Sequence, residues 1–218
     1  MSITRHATRT QQAGEKPKRY VFVLLNNFTL LCFAAALESL RIANRMAERE
    51  IYSWRIIGEG GDVAYCSAGT GFKLDGDLDE VNREDTIMLC GGIDVQAATS
   101  KKLLGWLRRE ARKGPHVAGL CTAAFSLAKA GLLDGTRATI HWENQDSFAE
   151  EFPNVELTKS VFVVDDKRLT TAGGTSSIDL MLQLIADDND EQLANAVADQ
   201  LIYSSIRTDQ DTQRLSVP

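Results

Sequence analysis

The stretch that most restricts how this chain can fold is HVAGLCTAAFSLAKAGLLDGTRATIHW, His116 to Trp142. His116 to Leu120 is a short apolar run, predicted as a buried parallel strand. Cys121 follows without a spacer. Thr122 to Ala130 then reads as a helix with Phe125, Leu127 and Ala128 on a buried face. Gly131 and Gly135 punctuate its end, and a second strand, Arg137 to Ile140, is predicted to deliver His141. A nucleophile-type residue on a tight strand-to-helix turn is lifted off the sheet, with a helix N-terminus behind it that favours negative charge. A thiol held there is expected to be drawn toward the thiolate, and a nearby histidine could orient or deprotonate it. The competing account is that Cys121 is inert packing, the commoner fate of a cysteine.

The remaining chain alternates strands with helices. Tyr20 to Leu25 reads as a buried first strand, Leu30 to Ala47 as a helix with Leu31, Ala35, Leu37, Leu40 and Ile42 offered to a core, and Ile51 to Ile57 as a second strand. Val63–Cys66 and Gly71–Leu74 suggest a short hairpin or two edge strands. Thr86 to Leu89 is a further buried strand running into Cys90-Gly91-Gly92, with a helix predicted from Val95 to Lys113. Two glycines after a parallel strand permit close backbone approach, and their N–H groups could form half of an oxyanion hole over Cys121. A plain strand-to-helix turn explains them equally well. Glu143 to Glu151 reads as an acidic helix, Glu156–Val164 with Leu169–Thr171 as a hairpin, and Ser176–Ala186 and Gln192–Ile206 as the last helices. This order predicts one α/β domain over residues 20–206, with a mostly parallel sheet between two helix layers. Ligands of such sheets bind at the carboxyl ends of the strands, an edge that Gly91, Gly92, Cys121 and His141 can share.

Charge and cysteine usage limit the partners. With a net charge of −6, no overall basic field draws the chain to nucleic acid. Residues 1–19 carry Arg5, Arg9, Lys16, Lys18 and Arg19 and read as a disordered basic arm. The four cysteines, Cys32, Cys66, Cys90 and Cys121, form no C-x-x-C pair, so neither a zinc site nor a disulfide framework is expected, and a reducing cytoplasm fits best. No apolar run reaches membrane-spanning length, so no membrane partner is expected.

The segment GLCTAAFSLAKAGLLDGTRATIHW resembles the Cys-elbow-to-His segment of the PfpI branch of the class I glutamine amidotransferase-like superfamily. More specifically it resembles the sensor domain at the N-terminus of AraC-family transcriptional regulators, the GlxA-like group. FAAALESLRIANR (Phe33–Arg45), HWENQDSFAEEFP and TAGGTSSIDLMLQLI are similar to the same group, and Asp211 to Pro218 resembles the start of its linker, expected over residues 207–218. The resemblance implies a flavodoxin-like three-layer α/β/α sandwich without a cofactor, a small-molecule effector and a homodimer. It also implies that DNA is contacted only through a helix-turn-helix domain that is not among these residues. Enzymes of the superfamily use a cysteine, commonly a histidine, and an acid following the first strand. Carried over, these fall on Cys121, His141 and Cys32, so no carboxylate stands at the acidic position; Glu38 lies further along the helix, and Thr122 replaces the histidine of peptidase-like members. Two readings follow: a ligand sensor built on a vestigial catalytic cleft, or a cysteine-dependent hydrolase or hydratase of the PfpI type. HWEN and the Gln213-Arg214-Leu215 ending further resemble regulators that sense glycine betaine, carnitine and related quaternary amines. Such a ligand needs aromatic faces and negative charge around its cation, for which Phe28, Trp142 and Glu143 are candidates. Its carboxylate needs N–H donors, for which the backbone at Gly92 and Thr122 is a candidate. Phe28 and Trp142 could equally be ordinary packing aromatics.

Overall fold

A computed structural model describes residues 16–213. Chain order is β1 (Lys18–Leu24), α1 (Leu30–Met46), β2 (Tyr52–Ile57), β3 (Val63–Tyr65), β4 (Gly71–Lys73), β5 (Thr86–Cys90), α2 (Val95–Ala98), α3 (Lys101–Ala111), β6 (His116–Leu120), α4 (Ala124–Lys129), β7 (Arg137–Ala138), α5 (Gln145–Glu151), β8 (Glu156–Leu157), β9 (Phe162–Asp165), β10 (Arg168–Thr171), α6 (Ser176–Asp188) and α7 (Glu191–Gln200). The main sheet runs β2-β1-β5-β6-β10-β9, parallel except for the antiparallel edge pair β9–β10. This is the expected three-layer, flavodoxin-like α/β architecture.

Strand alternation builds two separate cores. On β1, Tyr20, Phe22 and Leu24 point to the face covered by α1, α6 and α7, while Val21 and Val23 point to the face covered by α3 and α4. β5 divides in the same way, Met88 and Cys90 to the first face and Ile87 and Leu89 to the second. Register aligns the carboxyl ends: Leu24 pairs with Cys90, Cys90 with Leu120, and Gly119 with Thr170. The turns after β1, β5, β6 and β10 therefore emerge side by side. Among the described residues no helix is long and apolar enough to cross a membrane.

Several expectations are corrected. β1 begins at Lys18, so Lys18 and Arg19 leave the predicted arm; they are tied to Asp188 and Asp85, and residues 1–15 lie outside the described residues. The helix expected from Val95 to Lys113 is two, because Ser100 caps α3 with its side chain accepting the Leu103 N–H at 3.0 Å. The strand expected to carry His141 shortens to β7, which pairs with β8 in a two-stranded sheet outside the main one. The final helix stops at Gln200, where the Tyr203 and Ile202 N–H groups turn back to the Ala198 and Asp199 carbonyls with Ile202 at φ 55°. Leu31, read as a core position, is exposed. The apolar faces of α1 and α7 are filled within the chain by Ala36, Leu40, Ala43, Ala194, Val197 and Ala198.

Gly91 and Gly92 hold this edge together by close approach. A Cβ at Gly91 would lie 2.5 Å from the Ala123 nitrogen, and one at Gly92 would collide with the Asn27 carbonyl and stand 2.7 Å from the Thr29 nitrogen. Backbone cannot yield as a flexible side chain can. Gly92→Ala is expected to destabilise the fold by about 2 kcal/mol or more. Urea denaturation checks this: the midpoint falls while the slope is kept.

Candidate functional site

Cys121 is the hinge of the β6-to-α4 turn, with φ at 61°, a left-handed conformation that costs a non-glycine residue strain. Its surroundings leave it no alternative. The Cys121 N–H donates to the Thr171 hydroxyl at 3.4 Å, and the Thr122 hydroxyl donates to the Gly92 carbonyl at 2.7 Å. Gly173, itself at φ 101°, closes over the thiol so tightly that a Cβ there would sit 2.9 Å from Sγ. The side chain is 5 % exposed and forms the floor of a cleft of about 760 Å³.

The electrostatics at Sγ favour the thiolate. The Cys32 thiol donates to it, the Thr29 hydroxyl lies 3.7 Å away, and the Thr122 N–H points at it. The Cys32 hydrogen bond is the largest influence and burial opposes it; together they bring Cys121 down to about 7, with Glu143 pushing weakly upward. Cys32 moves the other way, raised because it gives its proton to this bond and because it is buried, although the Gly174 N–H donates to its sulfur at 3.1 Å. Cys32, on which the resemblance places the acidic position, thus lies beside the thiol.

His141 reaches the same cleft from the side, carried by the chain after β7. Its Nδ1 accepts the Glu143 N–H at 3.4 Å and lies 3.6 Å from the Glu143 carboxylate. Among the described residues no hydrogen bond joins His141 to Cys121; the thiol's partners are Cys32, Thr29 and Thr122.

Of the predicted site residues, Gly92, Cys121, Thr122, His141 and Glu143 line the cleft. Three do not. Phe28 is 0 % exposed and packs edge-on against Phe33 and Phe72, so it belongs to the core. Gly91 donates its N–H to the Leu120 carbonyl and so offers no hydrogen to an oxyanion. Trp142 is 44 % exposed and lies off the cleft, its ring 5.7 Å from that of His141. The walls hold residues the sequence reading missed: Thr29 beside the thiol, Ser67 after β3, Asp94 and Gln96 after β5, and Asn144, Ser147 and Glu151 from the α5 side. Asp94, two residues past the double glycine and at φ 55°, is the one such position a turn signal marks. The lining carries three carboxylates, Asp94, Glu143 and Glu151, the last paired with Lys129 at 2.6 Å, and no Lys or Arg.

A family model described as DJ-1/PfpI family matches residues 21–187. The chain is 41% identical over 196 residues to the HTH-type transcriptional regulator CdhR of Pseudomonas aeruginosa, covering 90% of this chain and 58% of that protein. It is 35% identical over 213 residues to the HTH-type transcriptional regulator GbdR of the same species, covering 98% and 58%. The chain therefore spans 58% of the length of these curated relatives. Among solved structures it is similar to an AraC family transcriptional regulator from Pseudomonas putida, with a TM-score of 0.78 and 27% identity over 85% of this chain and 100% of the other.

The donor shell predicts selective thiol chemistry. Iodoacetamide should label Cys121 before Cys32, Cys66 and Cys90, and the labelling rate should rise through a midpoint near 7 instead of the ordinary 9.0. Because Cys32 stabilises the thiolate, Cys32→Ala should move that midpoint up by about one unit and slow labelling at neutral pH. Peptide mass spectrometry of a pH series reads both, and equal labelling of the four thiols would count against the arrangement.

Proposed function

Because the chain belongs to the DJ-1/PfpI family, we propose that it is the ligand-sensing domain of an AraC-family transcription regulator, binding a small organic cation above Cys121. The bound state would bias a DNA-binding region outside residues 1–218. The cleft carries this reading. Its thiol is partnered by Cys32 and not by a carboxylate, and its walls present Asp94 and Glu143, with Glu151 already paired to Lys129. Negative walls around a partly enclosed space raise the local concentration of a cation. A hydrolase or hydratase would need a base poised to move a proton at the thiol or at water. The Nδ1 of His141 is turned to Glu143, which gives that reading less support. The names of the similar proteins, transcriptional regulators, lean the same way. As a DNA-linked regulator the protein would belong in the cytoplasm.

Within this reading the ligand is a quaternary amine such as glycine betaine or carnitine. A trimethylammonium group donates no hydrogen bond, so carboxylates and aromatic surface must hold it. Asp94 and Glu143 supply the charge, and Phe125 and Phe148 supply aromatic lining in place of Phe28 and Trp142. Gln96 and Asn144 offer amide donors to the ligand's own carboxylate. The homodimer belongs to the same proposal. Exposed Leu31, Val63, Tyr65 and Ile93 are the apolar side chains left for it near the turn at Asn27, which bonds to both Tyr65 and Ile93.

Calorimetry with glycine betaine and carnitine should give saturable binding, weakened about fivefold by Asp94→Asn or Glu143→Gln. An anionic metabolite binding where neither amine does at millimolar concentration would remove the cationic assignment. Light scattering should return twice the 24.0 kDa chain mass, and a monomer at tens of micromolar would remove the dimer.

A further inference from the structure

We propose that residues 201–213 are a strap latched behind Cys121 at one end and behind the Ile140–His141 wall of the cleft at the other, so that a change in the cleft alters how firmly the strap is held. The sensor reading bears only on what lies beyond the strap; the coupling is a property of this chain alone.

The strap starts at a strained point. Ile202 holds φ 55°, an outlier for a β-branched residue, with its side chain 91 % exposed. Among the described residues no helix or strand follows it, and Ile206 is also exposed, so apolar burial contributes little past Leu201 and Tyr203. Polar contacts hold the segment instead, backbone bonds from Val161 to Asp211 and from Gln213 to Lys159 among them.

The first latch is Asp179, whose side chain is wholly buried. It accepts from the Arg207 Nε at 2.9 Å, its Nη2 at 2.6 Å, its backbone N–H at 2.8 Å, and from the Tyr203 hydroxyl at 3.0 Å. Arg207 also donates to the Thr175 hydroxyl at 2.8 Å. Removing the guanidinium would leave a buried charge without its counter-ion. Thr175 directly follows Gly173 and Gly174, the residues that press on the Cys121 sulfur and donate to the Cys32 sulfur. The start of α6 therefore meets the thiols on one side and the strap on the other.

The second latch is Gln213. Its Nε2 donates to the Thr139 hydroxyl and the Ile140 carbonyl, each at 2.9 Å, and to the Ser160 carbonyl at 3.2 Å. Ile140 lines the cleft and precedes His141. The Gln213 Oε1 is buried without a hydrogen-bond partner, a cost that release of the strap removes. One end of the strap is thus fixed behind Cys121 and the other behind His141. An adduct that displaces Gly173 or Ile140 disturbs a latch, and by reciprocity a broken latch alters the thiol's surroundings.

The test uses iodoacetamide at Cys121 as the cleft probe and amide hydrogen exchange over 203–213 as the readout. Alkylation of the wild-type chain should change exchange in that segment about fivefold or more, while Cys121→Ser treated identically does not respond. Arg207→Gln and Gln213→Ala should each speed exchange there and change the Cys121 alkylation rate in turn, with protection of β1 and β5 retained to show that the fold is intact. Unaltered strap exchange after Cys121 alkylation, or an alkylation rate unaffected by both variants, overturns the coupling. If glycine betaine fails to bind while alkylation still moves the strap, the ligand assignment falls and the coupling stands.

Discussion

The structure depends on backbone meeting backbone at the carboxyl edge of the parallel sheet. Register sets the ends of β1, β5, β6 and β10 in one row, but only residues without side chains let the turns beyond them interlock. Gly91 lies against Ala123, Gly92 against the Asn27–Thr29 turn, and Gly173 against Cys121. Cys121 keeps its left-handed backbone because these contacts and the two threonine hydrogen bonds fix both sides of the turn. Strain at the thiol is held by the packing of several chain segments, not by any one partner.

The same packing decides the chemistry. Cys32, Thr29 and the Thr122 N–H converge on one sulfur, so the anion is favoured without a cationic neighbour or a histidine bond. A carboxylate at position 32 would compete for the negative charge, or carry a proton to share; the Cys32 thiol, pushed up by burial and by its bond to Cys121, keeps its proton and donates it. The cleft therefore combines a stabilised thiolate with carboxylates on its walls.

How much of this could be read in advance varied with the physical signal. A strand, a cysteine and a helix in immediate succession admit few geometries, so the elbow was legible. The placement of Cys32 was legible only through the resemblance, because position along α1 says nothing of its distance from residue 121. Phe28 was misread because an aromatic in a turn looks the same whether it faces a ligand or Phe33 and Phe72, which arrive from other elements. Ser67 enters from a hairpin outside the main sheet, and no spacing announces it. Apolar residues continue at helical spacing through Leu201, Ile202 and Ile206, so the predicted last helix ran on; the capping geometry at Ile202 and the charge on Asp179 overrule that periodicity.

The two cores on opposite faces of the sheet have a consequence for how such a protein can change. Asp94, Gln96, Asn144 and Ser147 stand on short turns and helices of the face that α3 and α4 cover, whereas Cys32, α6 and Asp179 belong to the other. The turns that carry Asp94 and Asn144 are thus anchored in one body of packed side chains and the thiol's partner Cys32 in another, with the sheet between them. Substitution in the first body can therefore reshape the mouth of the cleft while the surroundings of Cys32 in the second stay constant.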